Sequence, residues 1–466
     1  MAYITSQKNQ NWLLPPNIRD MIPQDHICFF IEEFVDTLDF SQFDRQYDGA
    51  GRPAYHPRVL LKLLVYGTVC NIRSSRKIAK AYHENFVCMY LSEKTKPDFR
   101  TISRFRKDNA GFVKSVFKQT VTLAVENKLV DTSFISIDGS TFKANAGAKR
   151  YVDKRSLDKI DDALDKMIDD DIALDELEDE LYNDSANDGL TGIDKRDIKK
   201  IVREFNQSKE KSIVKKNVEK ARNELENHSL KKVSISDPQS RAMQTKKRFS
   251  ELSYNTQLSV CKNQIIVAND VCQDKHDVKQ CIPQIKNIQQ NIDISQSKIA
   301  LDCGYSDGNN LHFAQENRID LYVPSRAQAQ KLDGKEESLH HDNYEYDANT
   351  DEIIVDGKRF TKRKSSTRKN GKKIWTFYSR ELKKKKDIPF YFKERLKMKA
   401  KMETDEARKI YALRKMTVEP VYGNIKHNFG FKEFLLRGID FVKTEMNLVC
   451  IAHNLKKLHR MSAMSC

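Results

Sequence analysis

No apolar run in this 466-residue chain is long enough to span a membrane, so no transmembrane helix is expected. The first residues, Met1-Ala2-Tyr3-Ile4-Thr5, do not form a secretion leader. Nine cysteines are present, at 28, 70, 88, 261, 272, 281, 303, 450 and 466. None forms a C-x-x-C pair or any other zinc spacing, which excludes a zinc-finger scaffold. The odd count and the missing leader imply reduced thiols and an intracellular protein. Acidic residues are short relative to basic ones: 66 Asp and Glu against 82 Lys and Arg, a net charge of +16. Such a surplus favours an acidic partner, nucleic acid first, with a generally basic protein as the plain alternative.

Two distant segments share one design. Phe134-Ile135-Ser136-Ile137 stops at Asp138, followed by Gly139. Lys298-Ile299-Ala300-Leu301 stops at Asp302, followed by Cys303-Gly304-Tyr305. Short apolar runs bounded by turn residues read as buried strands, and each aspartate is then held at a sheet edge. A third carboxylate, Glu419, lies in the helical stretch Thr417-Val418-Glu419-Pro420-Val421-Tyr422-Gly423-Asn424-Ile425-Lys426. A lone Asp after a strand is often only a turn former or helix cap. Two of them with a helical Glu, in a basic chain, point instead to divalent-metal chemistry on a polyanion. Cys303 reads as a small turn residue, because such a site prefers hard oxygen donors.

The rest of the chain gives the frame. Residues 1–125 read as helices, at Ile27–Val35, from Pro57 through Gly67, from a Ser74 cap to Tyr82, and over Pro97–Lys107. The last carries Arg100, Arg104, Arg106 and Lys107. Short helices with tight turns fit a DNA-binding helix-turn-helix, or a helical bundle whose cations are solvated. Residues 143–240 read as a helical hairpin with an acidic arm over Asp158–Glu180, a basic arm over Lys195–Lys232 and a break at Asn183–Gly192. Asp161, Asp162, Asp165, Asp169, Asp170 and Asp171 belong to its solvated face. Strands at Ser253–Val260, Gln264–Val271, Lys298–Leu301 and Asp320–Val323, with helices at Asp277–Ile288 and Gly308–Glu316, predict an α/β domain with a mixed sheet. Residues 326–400 are polar and basic, with a strand pair turning at Asp356-Gly357. They are either a flexible basic loop or a β-insertion that touches DNA phosphates. The stretch 404–460 is helical apart from a loop at Gly430-Phe431-Lys432.

Glu419 and Lys426 are seven residues apart and share a face of a continuous helix. Lys415 lies four before Glu419, with Arg414 beside it. A carboxylate flanked by cations suits a phosphate backbone. Two hard cations about 4 Å apart would activate a water or a DNA 3′-hydroxyl and stabilise the leaving oxygen.

These motifs resemble the DDE-type transposases of bacterial insertion sequences. The resemblance rests on Ile137-Asp138-Gly139-Ser140, on Asp302-Cys303-Gly304-Tyr305-Ser306 and on the Thr417–Lys426 segment. It extends to Gly430-Phe431-Lys432-Glu433-Phe434-Leu435-Leu436-Arg437-Gly438 and to the helical first 125 residues. It implies an α/β fold: a ribonuclease H-like mixed sheet over 126–335 and 401–466, a helical N-terminal DNA-binding domain over 1–125, the helical-hairpin insertion and a basic insertion over 336–400. It also implies that Asp138, Asp302 and Glu419 bind two Mg2+ ions, or Mn2+. The family signature Tyr-x2-Arg-x3-Glu-x6-Lys is met by Tyr411 and Arg414 and by Glu419 and Lys426. The Arg414–Glu419 interval is one residue longer, which leaves Lys415 as an alternative to Arg414. The family carries a cysteine cluster before the Glu in some members; none lies between Cys303 and Cys450, so no zinc site is expected. The implied activity is binding of terminal inverted repeats, cleavage and strand transfer on double-stranded DNA, by a homo-oligomer in the bacterial cytoplasm, nucleoid-associated. A nuclease of the same fold without strand transfer and a non-catalytic DNA-binding descendant remain as alternatives.

Overall fold

The computed structural model describes residues 17–44, 54–147, 150–169, 211–244, 250–332, 334, 344–368 and 371–465. The chain forms two compact units, Met1–Thr120 with Asn447–Cys466, and Val121–Met446.

The first unit is helical. Its helices are α1 (Ile27–Asp36), α2 (Ser41–Asp44), α3 (Pro57–Val69), α4 (Ser75–Glu84), α5 (Phe86–Leu91), α6 (Phe99–Asp108) and the first part of α7 (Ala110–Glu126). Pro57 opens α3, where its missing N–H is not needed, and the His56 ring accepts the Arg58 amide. Asp98 caps α6 by accepting the amides of Arg100 and Thr101 at 2.6 and 3.3 Å. Ser74 holds the cap position of α4, but its side chain makes no capping bond. Lys62 is buried in α3, where Glu32, Asp36 and Glu93 surround its ammonium at 3.1–3.5 Å; a buried cation needs such partners. Asn454 donates to Thr120 at 3.1 Å within the same unit.

The second unit is built on a mixed sheet. Its strands are β1 (Phe134–Lys143), β4 (Arg241–Gln244), β5 (Ser250–Cys261), β6 (Ile266–Cys272), β7 (Lys298–Leu301) and β8 (Asp320–Tyr322). The order is β4-β5-β1-β7-β8, with β6 also on β5. β1, β7 and β8 are parallel, whereas β4, β5, β6 and β1 pair antiparallel through β5. The expected mixed sheet is therefore present. The helix foreseen from Asp277 begins as a 3-10 turn, Asp277–Lys279, before α10 (Cys281–Gln289); α11 (Gly308–Glu316) and α12 (Arg326–Leu332) follow.

One expectation changes. Asp138 was to end its strand, yet β1 continues to Lys143. Its parallel partner β7 stops opposite Ile137, but β5 stays paired through Lys143. The segment after Glu419 takes over the vacated edge: Lys143 donates to Lys432 O and accepts from Phe434 N. Phe431 and Phe434 pack on Phe142 at ring distances of 5.4 and 6.1 Å.

A side sheet of β2 (Tyr151–Asp153) and β3 (Lys232–Ser234) sits beside α8 (Lys154–Asp169) and α9 (Lys211–Asn227). Arg222 of α9 binds Asp158 and Asp161 of α8 at 3.0 and 2.6 Å. The expected hairpin break, with Asp170 and Asp171, lies outside the described residues. The basic stretch forms an antiparallel sheet of β9 (Glu345–Asp347), β10 (Glu352–Val355), β11 (Lys358–Thr367), β12 (Lys373–Ser379) and β13 (Lys384–Pro389). Asp356 and Gly357 turn β10 into β11 with φ of 49° and 74°, the left-handed pair that suits a two-residue hairpin. Then come α13 (Phe392–Met402), α14 (Asp405–Gly423), a π turn at Asn424–Asn428 and α15 (Ile439–Ser465).

Candidate active site

Parallel register places the two aspartates side by side. Ile137 pairs with Leu301 in the last matched position, so Asp138 and Asp302 follow at one level of neighbouring strands. Asp302 turns its carboxylate back to cap the 3-10 turn Cys303–Tyr305 at Gly304 N. Asp138 accepts from Gly139 N at 3.0 Å.

α14 brings in the third acid. Tyr422 fixes this helix to the sheet: its hydroxyl lies 2.9 Å from the main-chain oxygens of both Asp138 and Thr256. Pro420 sits inside α14 and cannot donate to the Met416 carbonyl. Gln264 Nε2 serves that carbonyl instead, at 2.9 Å.

The three acids meet at one guanidinium. Arg414 Nη2 is 3.5 Å from Asp138 Oδ1 and 3.7 Å from Asp302 Oδ2, and Nη1 is 3.5 Å from Glu419 Oε1. The exposed fractions are 11% for Arg414, 17% for Asp138, 35% for Asp302 and 52% for Glu419, so the cleft opens on the Glu419 side. These contacts exceed the 2.7–2.9 Å of a tight charge-assisted bond; Arg414 holds the three acids together only loosely. Among the described residues no three His, Cys, Asp or Glu groups lie close enough to hold a metal ion. Burial pushes the Asp138 carboxyl up to about 7, Arg414 counteracts it, and Asp302 and Asp277 add to the rise. Burial opposes the charge on Arg414, but Asp138 and the other acids outweigh it and raise its pKa.

The extra residue between Arg414 and Glu419 does not remove Arg414 from the cleft. Lys415 is exposed on the helix. Lys426 lies in the π turn, where its ammonium donates to Ser140 at 2.6 Å and stands 4.6 Å from the Phe142 ring centre. In the first unit Arg100, Arg104 and Lys107 are exposed on α6. Arg106 is buried and donates to Arg73 O at 3.2 Å, so it fastens the helix rather than facing solvent.

Reasoning from sequence missed Asp277, which read only as the start of a helix. Its carboxylate lies against Gly139: a β-carbon there would strike Asp277 Oδ1 and Gln257 Nε2. Asp277 ends a polar run, Gln273-Asp274-Lys275-His276-Asp277, that separates it from the end of β6 at Cys272, so no strand end marks it out.

Among the described residues no helix is long and apolar enough to cross a membrane. Residues 16–108 match the family model of a transposase domain (DUF772), and residues 363–459 match that of a transposase DDE domain. The first match contains α6; the second contains Arg414, Glu419 and Lys426, while Asp138 and Asp302 precede it. No curated protein matches the chain. A transposase domain towards one end and a transposase DDE domain towards the other indicate a DDE-type transposase of an insertion sequence.

Proposed function

We infer that Asp138, Asp302 and Glu419 hold a pair of divalent cations, magnesium or manganese, and that the chain cuts the ends of its element and joins them to target DNA. One observation carries this: a single cationic group lies within 3.7 Å of all three carboxylates. Arg414 stands in for positive charge in a cleft whose donors are all hard oxygens, the set that magnesium prefers. Bound cations would activate the attacking oxygen and stabilise the leaving one in an in-line displacement.

The chain's own residues supply positioning. Arg414 keeps the acids together and, once released, offers a planar fork to a DNA phosphate. Lys426, held beside Ser140 on the strand of Asp138, contributes a point charge to the same backbone, and exposed Lys415 extends the cationic rim. Arg100, Arg104 and Lys107 on α6 contact the terminal repeats in a helix-turn-helix manner. The mixed sheet, with its parallel β1-β7-β8 and antiparallel β5 and β6, supports a ribonuclease H-like core, and the Arg222 ion pairs support a helical insertion in it. Two copies acting together would hold the two ends, in the cytoplasm where the DNA is.

The test is cleavage of end-labelled DNA carrying the terminal repeats, with Mg2+, followed by a plasmid-joining assay. Cleavage and joined products are expected. Cleavage without joining would favour the nuclease reading. Binding without cleavage would leave a non-catalytic descendant.

A further inference from the structure

Asp277 is held in a way that a helix start does not require. Its Oδ1 accepts two hydrogen bonds, from Asn255 Nδ2 and Gln257 Nε2, each at 2.7 Å. Both donors are buried alternate residues of β5, on one face of the sheet. Gln257 in turn accepts from the hydroxyl of Tyr305, which is fully buried in the turn capped by Asp302. A chain of buried bonds therefore links the Asp302 turn, β5 and Asp277. Glycine at 139 leaves the space this needs.

The second oxygen of Asp277 is not used in this way. Among the described residues no donor reaches Oδ2. It faces Gly304: a β-carbon built there would lie 3.7 Å from Asp277 Oδ2 and 2.8 Å from Asp302 Oδ1. Both oxygens thus border the same small space. Asp277 adds a fourth negative charge near Asp138, where one guanidinium already serves three carboxylates, an arrangement that is unfavourable until further cations arrive.

We propose that Asp277 is a fourth carboxylate of the active site, supplying its free Oδ2 to a divalent cation shared with Asp138 and Asp302. This rests on the metal-binding reading above. Asn255 and Gln257 orient the group, and the Gln257–Tyr305 bond keeps it in step with the Asp302 turn.

The test is calorimetric titration of the full chain with manganese(II), for the wild type, Asp277→Asn and Asp138→Asn. Asparagine keeps the Oδ1 acceptor and the shape but removes the charge. Asp277→Asn should bind manganese about 10- to 100-fold more weakly, the range seen when a group supporting a metal is lost. Its metal-free melting temperature should not fall. Raised manganese should restore DNA cleavage to Asp277→Asn and not to Asp138→Asn. Should Asp277→Asn fold poorly, Asp277→Ser provides a second charge-free side chain. Wild-type affinity in either folded variant, with affinity lost in Asp138→Asn, would overturn the role of Asp277 and leave the three-acid reading standing. A wild type that binds no manganese would overturn both.

Discussion

The two large sheets of the second unit use opposite logics. In the mixed sheet every residue of β5 from Leu252 to Cys261 is buried, including Asn255, Thr256, Gln257 and Ser259. In the outer sheet β11 buries only Phe360, and the rest of the strand reaches solvent. Buried polar groups must be paired, so the first sheet fixes its polar side chains through hydrogen bonds such as Asn255 and Gln257 to Asp277. The second keeps one apolar face, with Ile353, Phe360, Phe377 and Ile388 packed against Phe392 of α13, and leaves its charges to water and to ion pairs such as Arg368–Asp387. The first sheet can hold acids against their mutual repulsion. The second can present cations cheaply. Substitutions should therefore act on chemistry in one sheet and on salt-dependent binding in the other.

The largest contrast should come from the three acids. Ala at Asp138, Asp302 or Glu419 should reduce cleavage of repeat-ended DNA to background while binding persists. Ala at exposed Lys364 should leave the chemical step unchanged once DNA is saturating. A strong loss of single-turnover cleavage at Lys364, or its survival at Asp138, would erase the distinction.

Arg414→Gln should come next. Removing one partner from a buried charge group costs about 3–5 kcal/mol, because uncompensated charge stays behind. Glu419 is half exposed, so the lower end applies. The metal-free melting temperature should fall, and manganese should recover it, because metal takes over the neutralisation. A variant whose melting temperature is unchanged without metal would show that Arg414 does not hold the acids together.

Legibility in the sequence follows the same division. The strands before Asp138 and Asp302 were readable because parallel, doubly covered strands are apolar runs. The end of β1 was not, since its continuation past Asp138 depends on pairing with β5, far along the chain, and no local pattern reports such a partner. α6 was readable over Pro97–Lys107 with its cations, but the burial of Arg106 depends on Arg73 O. The place of Arg414 in the cleft was obscured by counting spacing, because a guanidinium reaches far enough to absorb one extra residue. Asp277 was hidden because Asn255 and Gln257, which orient it, look like surface residues in a strand reading.

Tyr422→Phe should have a moderate effect. It removes one hydroxyl shared between the main-chain oxygens of Asp138 and Thr256, worth about 1 kcal/mol for a typical hydrogen bond. Cleavage should fall more than stability does, since the bond seats the Glu419 helix on the Asp138 strand. Equal loss of binding and cleavage would assign Tyr422 to general folding.

In the outer sheet, Lys364→Ala with Lys385→Ala should change stability by less than about 0.5 kcal/mol. If these lysines touch phosphates, the slope of log affinity against log salt should flatten by about one for each, equally for repeat and random DNA. An unchanged slope would make them solvated bystanders.

The smallest effect is a pH dependence in the same sheet. The Tyr346 hydroxyl, with Lys362 and Lys393 adding against the cost of burial, lowers the Asp351 carboxyl to about 2 from its ordinary 3.8. The unfolded chain therefore binds the proton more readily than the folded one between these values. The contribution is fully present above pH 3.8 and is lost as pH falls through about 2. Asp351 is 43% exposed, so solvent screens much of it. Asp351→Asn should be slightly less stable than the wild type at pH 5, and the gap in melting temperature should close on acidification. A gap that stays constant down to pH 2 would mean that the ion pairs of the outer sheet add nothing to its folding, and that its cations are held for a partner alone.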